Sequence, residues 1–97
     1  MAEEKNLEDR LFDYCKQHDI LFLKTFVAGG KGFPDRMLIF KDGTILFMEL
    51  KSPGGKLSPH QVIWQKTLHT RNQFSVVAYN YAEAVAFIED LRIVKVT

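Results

Sequence analysis

The order of apolar and polar positions divides the chain into helices and short buried strands. Near the start, Leu7, Leu11, Tyr14 and Cys15 recur at helical spacing on one face. Four later apolar runs are short, rich in β-branched or aromatic residues and flanked by turn-forming residues, which is typical of strands. The pattern predicts, in order, a helix over 3–18, strands over 20–27, 35–40 and 45–51, a helix over about 59–71, a strand over 74–79, a helix from about 80 and a short edge strand over 92–96.

Local signals bound the central helix of this pattern. Ser58 is a typical N-cap residue, and Pro59 suits the first helical position. Gln61, three residues after Ser58, can complete a capping box. At the other end, Asn72 can take the left-handed conformation that ends a helix. Gln61 therefore has a structural role available before any functional role is considered.

The composition is that of one soluble globular domain spanning residues 1–97. Hydrophobic residues make up 46% and charged residues 26% of the chain, which is ordinary for such a domain. Cys15 is the only cysteine, so no internal disulfide can form and a reducing compartment is expected. The acidic opening is unlike a signal peptide, and the apolar runs are too short to cross a membrane. We therefore expect a cytoplasmic protein with no membrane association.

The charge is unevenly distributed, although the net charge is only +1. Residues 1–23 carry six acids and three Lys or Arg, whereas residues 24–71 carry eight Lys or Arg and three acids. Two of those three acids are Asp35 and Glu49, so the middle of the chain is a basic surface if these two bind a metal ion. On charge alone, lysines that merely keep exposed edges soluble explain the pattern as well.

Three ionisable residues lie at one end of the predicted hydrophobic hairpin. Asp35 opens the first strand, and Glu49 and Lys51 close the second. Burying a charge costs on the order of several kcal/mol unless another group pairs it. Their position therefore needs a chemical reason.

The turn between the two strands decides whether these three groups meet. A two-residue Asp-Gly loop is expected to put Asp35 opposite Leu50 and Glu49 on the other face, because side chains alternate along a strand. A three-residue loop over 41–43, with its glycine in the left-handed region, is expected to put Asp35 opposite Lys51. Glu49 is then the diagonal neighbour of Asp35 on the same face. The sequence permits either loop, and we predict the three-residue loop with Gly43 at positive φ.

Once gathered, the three groups suit a divalent cation. Two neighbouring carboxylates repel unless a proton or a cation lies between them. A hard ion such as Mg²⁺ prefers oxygen ligands and keeps several waters, and Lys51 beside it can offset charge on a phosphoryl oxygen. The alternative is a buried ion pair of Lys51 with Asp35 that only fixes the hairpin. From the residues alone both interpretations stay open.

The segments "PD" and "ELK", at 34–35 and 49–51, match the signature of the PD-(D/E)XK nucleases. More narrowly, "GFPDRMLIF", "FMELKSPGGKLSPHQ" and Trp64 resemble the VRR-NUC (virus-type replication-repair nuclease) family of that superfamily. The likeness covers about residues 5–88. It implies an α/β fold of the restriction-endonuclease type, an α-β-β-β-α-β mixed sheet flanked by helices, to which this chain adds a C-terminal helix and the short edge strand.

The resemblance also implies a set of site residues. Asp35 and Glu49 are expected to bind Mg²⁺, with Mn²⁺ able to substitute, aided by the backbone carbonyl of Leu50. Lys51 is expected to be the catalytic lysine, and Gln61 to lie beside the metal. Each of these positions carries the residue that the family pattern requires.

The fifth catalytic candidate is Glu8, which resembles the glutamate of the first helix that supports the metal through water. Glu4, one turn earlier on the same face, is the alternative. Trp64 is expected to pack against the core or its rim and not to stack on bases.

Four residues flank the proposed site and are candidates for contacts with DNA: Lys31, Arg36, Lys56 and His60. His60 could touch a phosphate, although an exposed surface histidine is the plainer interpretation. The glycine-rich stretches at 29–32 and 54–56 lack the Ser/Thr and the spacing of a phosphate-binding P-loop, so no nucleotide cofactor is expected.

The function implied by the resemblance is that of a Mg²⁺-dependent DNA endonuclease in a bacterial or phage-infected cell. A single small domain has little surface for recognising a substrate, so we expect a homodimer that acts on branched DNA such as four-way (Holliday) junctions. Alternatives are an exonuclease or flap nuclease of the same fold, a nucleic-acid-binding module without catalysis, and a small structural or partner-binding domain.

Overall fold

Three helices and four strands follow one another in the predicted order, up to the C-terminal segment. The structure, a computed structural model, describes the backbone of residues 2–96 and the side chains of residues 7–92. The elements are α1 (Ala2–Gln17), β1 (Leu21–Lys24), β2 (Arg36–Ile39), β3 (Ile45–Leu50), α2 (Pro59–His69), β4 (Phe74–Ala78) and α3 (Tyr81–Val96).

The four strands form one mixed sheet in the order β1-β2-β3-β4. Strands β1, β2 and β3 pair antiparallel with one another, and β4 joins β3 in parallel. A parallel neighbour requires a crossover connection, which α2 provides. This is the α-β-β-β-α-β mixed sheet that the family resemblance implies.

The side chains of β2 and β3 alternate between the two faces of the sheet, and each face meets different helices. Leu38 and Met48 belong to a buried apolar cluster that includes Leu11 of α1 and Ile88 of α3. Helices α1 and α3 therefore cover one face.

Helix α2 covers the opposite face. The ring of Phe47 packs edge-on against Phe33 with centroids 5.4 Å apart, and Phe33 packs in the same way on Trp64 of α2 at 4.9 Å. Trp64 is thus a packing residue, as expected from the sequence.

The β2–β3 hairpin has the predicted three-residue loop but not the predicted register. Gly43 lies at φ +92°, and its N–H donates to the carbonyl of Phe40 at 2.9 Å. Ile39 pairs with Ile45 and Arg36 with Met48. One step further, the partner of Asp35 is Glu49, so the expectation that Asp35 faces Lys51 is wrong by two residues.

The observed register has a simple geometric origin. A loop over 41–43 is closed by Phe40 and Thr44, whose backbones are hydrogen-bonded at 2.8 Å. Counting outward from that pair brings Asp35 opposite Glu49, with Lys51 diagonal to Asp35. An error of two residues preserves the face, because side chains alternate with period two. All three groups therefore remain on the α2 face of the sheet.

The predicted edge strand over 92–96 is wrong, because α3 continues to Val96. Ala84 and Ile88 are fully buried, and Leu91 packs against the same cluster. Their spacing is that of one buried helical face, and it holds up to the residue before the expected strand. None of the helices described over residues 2–96 is long and apolar enough to cross a membrane.

Candidate metal centre

The carboxyl groups of Asp35 and Glu49 lie side by side at the end of the sheet where α2 begins. Glu49 is only 3% exposed, whereas Asp35 is half-buried. The Asp35 carboxylate accepts a long hydrogen bond, 3.4 Å, from the backbone N–H of Leu50. The hairpin register thus places one acid of each strand at a shared position.

This environment raises the pKa of Glu49 to about 7 from an ordinary 4.5. The largest cause is burial, which disfavours the charged form, and the adjacent Asp35 carboxyl adds to it. Lys51 acts in the opposite direction and favours the charged form. An acid held in this way takes up either a proton or a cation near neutral pH.

The two oxygens of Glu49 have different partners. Oε2 accepts a hydrogen bond from Nε2 of Gln61 at 3.0 Å. Oε1 is buried and accepts no hydrogen bond from any residue whose side chain is described. A buried oxygen without a partner costs about 1–3 kcal/mol, so this position favours either a proton shared with the Asp35 carboxyl or a bound cation.

The donor set fits a hard divalent cation such as Mg²⁺ or Mn²⁺. It consists of the Asp35 and Glu49 carboxylates, followed in the chain by the backbone carbonyl of Leu50. Within residues 7–92, no third His, Cys, Asp or Glu side chain joins them in a metal-binding cluster. Mg²⁺ prefers to be coordinated by a few protein ligands and several waters, whereas structural zinc requires four protein ligands.

Gln61 performs two tasks at the start of α2. Its Oε1 accepts from the N–H of Ser58 at 2.8 Å, and its own N–H donates to the Ser58 hydroxyl, which completes the capping box. The remaining amide group, Nε2, donates to Glu49. The cap fixes the orientation of the Gln61 side chain, and that side chain in turn fixes Glu49.

A glycine holds the preceding loop against the same turn of α2. Gly32 has φ +86°, and a Cβ there would lie 2.6–2.8 Å from atoms of His60 and the backbone nitrogen of Gln61. Only glycine allows so close an approach. The segment that leads into Asp35 is thereby pressed onto the helix that carries Gln61.

Lys51 lies half-buried beside the two acids and lines a cleft of about 420 Å³. Among the side chains described it forms no ion pair with Asp35, so the ion-pair interpretation that the sequence left open is not the arrangement seen. Its backbone N–H donates to the carbonyl of Ala78 at 3.0 Å, which extends the β3–β4 pairing to this residue. The backbone of Lys51 is therefore fixed at the end of the strand, and its charge is close enough to act on Glu49.

Glu8 and Arg36 occupy the other side of the same strand end. Arg36 is 6% exposed, forms an ion pair with Glu8 and donates to the Asp35 carbonyl at 3.0 Å. Glu8 also lines the cleft beside Lys51. The structure thus links Glu8 to the backbone of Asp35 through Arg36. The side chain of Glu4, the alternative to Glu8, lies outside the described residues.

The expectation that Arg36 contacts a phosphate needs correction. Because Arg36 follows Asp35 in the strand, its side chain points to the α1 face, where it is buried and engaged by Glu8. The other three candidates, Lys31, Lys56 and His60, are all exposed. They remain available to a phosphate backbone.

Comparison with known proteins agrees with the fold described above. A family model described as the VRR-NUC domain matches residues 2–81, which include Asp35, Glu49, Lys51 and Gln61. The chain belongs to the VRR-NUC family. It is therefore a member of a nuclease family, and its mixed sheet is the PD-(D/E)XK-like core.

Two individual proteins illustrate the relationship. This VRR-NUC chain is 31% identical over 62 residues to "Putative nuclease p44" of Acyrthosiphon pisum secondary endosymbiont phage 1, a match covering 64% of this chain and 67% of that protein. A solved structure described as a VRR_NUC domain superimposes with a TM-score of 0.80 over 90% of this chain and 95% of that chain. At 24% identity, that superposition shows the shared fold.

The structure adds a cation that sequence reasoning missed in this VRR-NUC domain. Arg10 lines the cleft with Lys51, and its guanidinium stacks on the ring of Tyr81 at 3.8 Å. Arg10 and Lys51 are far apart in sequence and line the same cleft only because α1 packs against the sheet and α3. The helical spacing of Arg10 after Glu8 shows only that both lie on α1, so no sequence signal singled it out.

Proposed function

We propose that the protein is a Mg²⁺-dependent DNA endonuclease, with Mn²⁺ able to replace Mg²⁺. The single observation that carries this proposal is the buried Oε1 of Glu49, which lacks a hydrogen-bond donor beside a second carboxylate. A domain that only bound DNA would have no use for that arrangement, since carboxylates repel phosphate.

The residues divide the work as follows. Asp35, Glu49 and the Leu50 carbonyl would hold the ion, and a bound Mg²⁺ supplies positive charge next to a phosphoryl oxygen and activates a water. Gln61 orients Glu49. Lys51 stabilises the negative charge that develops on the phosphoryl group during hydrolysis.

Glu8 would act at a greater distance than the two carboxylates. It lines the cleft and is fixed by Arg36, so it can accept a hydrogen bond from water at the site. The family resemblance gives it the role of supporting the metal through such a water.

The proposed substrate is branched DNA such as a four-way junction, cut by a homodimer in the cytoplasm. Exposed Lys31, Lys56 and His60 supply a basic rim for phosphates. A twofold dimer would place two metal sites against two strands of a twofold junction. The edge strand β1 offers an apolar surface for such a dimer, since Leu21 is 58% exposed and Leu23 38%.

A cleavage assay tests the proposal. The purified protein is incubated with linear, flapped and four-way DNA of matched sequence, in EDTA, Mg²⁺ or Mn²⁺. We expect cleavage only with a divalent ion and fastest on the junction. Cleavage in EDTA, or none of any substrate with either ion, contradicts the proposed chemistry, while trimming of linear ends alone contradicts the proposed substrate.

A further inference from the structure

The loop between β1 and β2 carries an exposed phenylalanine that the metal centre does not use. Phe26 is 92% exposed, far more than the next large apolar side chain described, Ile63 at 59%. Single exposed apolar residues are common on protein surfaces, so exposure alone indicates nothing. The position of Phe26 beside the candidate metal centre, in contrast, indicates a role.

The residue before Phe26 is hydrogen-bonded to the backbone of Asp35 and of the residue before it. The backbone N–H of Thr25 donates to the carbonyl of Asp35 at 3.0 Å, and its hydroxyl donates to the carbonyl of Pro34. These bonds extend the β1–β2 pairing as far as Asp35. From ordinary backbone spacings, the Cα atoms of Phe26 and Asp35 are at most about 9 Å apart.

The rest of the loop is also fixed. The N–H of Gly30 donates to the carbonyl of Val27 at 2.9 Å, and that of Phe33 to Gly30 at 3.0 Å. Gly32 then packs on the first turn of α2. Phe26 is thus presented by a loop that is anchored at both ends to the site, which limits the entropy lost when the ring makes a contact.

The charge around Phe26 favours a polyanion as its partner. Residues 20–34 contain two cations, Lys24 and Lys31, and no acid. Both lysines are exposed. An exposed aromatic ring flanked in the chain by exposed cations is the combination that binds single-stranded nucleic acid, where bases stack on the ring and lysines contact phosphates.

We propose that Phe26 stacks on an unpaired base of the DNA substrate, close to the phosphate that is cut. This rests on the proposed function of the metal centre. Even with the reach of both side chains added to this Cα separation, a base on Phe26 lies only a few nucleotides from that phosphate. A paired base cannot offer its face without being unstacked, so Phe26 selects substrates that are unpaired beside the cut.

The test compares two synthetic DNAs of identical sequence, one fully paired and one with three unpaired nucleotides next to the cut. The ratio of kcat/KM for the unpaired to the paired DNA is measured for four proteins: wild type, Phe26→Ala, Phe26→Trp and Phe74→Ala. Phe74 is a matched control, because it is 50% exposed but lies at the other end of β4, three pairs from Glu49.

We expect Phe26→Ala to lower the ratio by about 5- to 150-fold, the equivalent of losing one base–aromatic stack of about 1–3 kcal/mol. Phe26→Trp should keep the ratio near the wild-type value, and Phe74→Ala should leave it unchanged. An unchanged ratio in Phe26→Ala, or an equal loss in Phe74→Ala, overturns the proposal and leaves the proposed nuclease function intact.

A binding measurement separates this proposal from the chemistry of the metal centre. 2-Aminopurine replaces each unpaired base in turn, and its fluorescence is followed without divalent ions. We expect quenching at one position in wild type and none there in Phe26→Ala. Quenching that depends on Phe26, in a protein that cuts no DNA, supports stacking while contradicting the proposed function.

Absence of any Phe26-dependent quenching overturns the stacking proposal. Sedimentation of Phe26→Ala covers the other partner that an exposed ring could have. A wild-type dimer that becomes monomeric in this variant would assign Phe26 to an interface between two copies of the chain.

Discussion

Replacing Glu49 by glutamine should stabilise the metal-free protein while abolishing its cleavage of DNA. The charged form of Glu49 is penalised by burial and by Asp35, which raise its pKa from 4.5 to about 7. At about 1.4 kcal/mol per pKa unit, ionising Glu49 in the folded protein costs about 3 kcal/mol. Glutamine carries no charge, can still accept from Gln61 and can donate to Asp35.

The sign of the pH dependence follows from the two pKa values. Between pH 4.5 and about 7 the folded state keeps a proton on Glu49 that the unfolded state has lost. The free energy of unfolding of the wild type therefore falls as pH rises through this window and levels off above it. The advantage of Glu49→Gln should be absent near pH 4.5 and reach about 2–3 kcal/mol at pH 8.

Thermal unfolding in EDTA at pH 4.5, 6 and 8 measures this difference. At pH 8 the variant should melt roughly 10–20 °C higher than the wild type, given the usual 4–8 °C per kcal/mol in a domain of about this size. Glu89→Gln is the control, because Glu89 forms only a surface ion pair with Arg92, worth less than about 1 kcal/mol. A Glu49→Gln variant no more stable than wild type at pH 8, or equally stabilised at pH 4.5, would refute the reasoning.

Three further predictions concern the surroundings of the site. Lys51→Ala should lose cleavage while Mg²⁺ binding measured by calorimetry is roughly kept; cleavage at the wild-type rate would remove Lys51 from the mechanism. Arg36→Ala should lower the free energy of unfolding by about 2–4 kcal/mol, since it removes a buried guanidinium that has two partners. Lys31→Ala should change the free energy of unfolding by less than about 0.5 kcal/mol and should instead weaken DNA binding. In thermal unfolding, Gly32→Ala should cost clearly more than Gly43→Ala, because both have positive φ but only Gly32 is pressed against α2; equal losses would show that the contact with α2 is unimportant.

The sequence predicted the sheet and the pair of acids because both depend on local patterns. Apolar runs located the strands, and Lys41-Asp42-Gly43 suggested the three-residue loop that the structure confirms at Gly43. Since only the parity of the register decides which face a side chain occupies, an error of two residues left Asp35, Glu49 and Lys51 together.

The alternation that placed Asp35 correctly could also have corrected Arg36. Neighbouring residues of a strand point to opposite faces, so Arg36 had to lie on the α1 side, away from the acids. Its partner Glu8 could not be identified in this way, because the packing of α1 on the sheet depends on contacts between distant segments. The resemblance to the family supplied Glu8, and the structure supplied the bond that joins it to Arg36.

Other features depend on the surroundings of a side chain and could not be predicted from its identity. Gln61 was expected to be either a capping residue or a site residue; it caps α2 and also donates to Glu49, because its two amide atoms point in different directions. The prediction of an edge strand over 92–96 was wrong because a short apolar run suits either a strand or the end of a helix, and α3 continues through these residues.

Isothermal titration of the metal-free protein with Mg²⁺ at pH 8 tests the central claim most directly, because it needs neither a substrate nor an active enzyme. We expect saturable binding of Mg²⁺ to the wild type. This binding should be lost in Asp35→Asn and in Glu49→Gln and kept in Lys51→Ala. Mn²⁺ should behave in the same way. A wild type that binds neither ion, or an Asp35→Asn protein that binds Mg²⁺ as tightly as the wild type, would contradict the assignment of these two carboxylates as the metal centre.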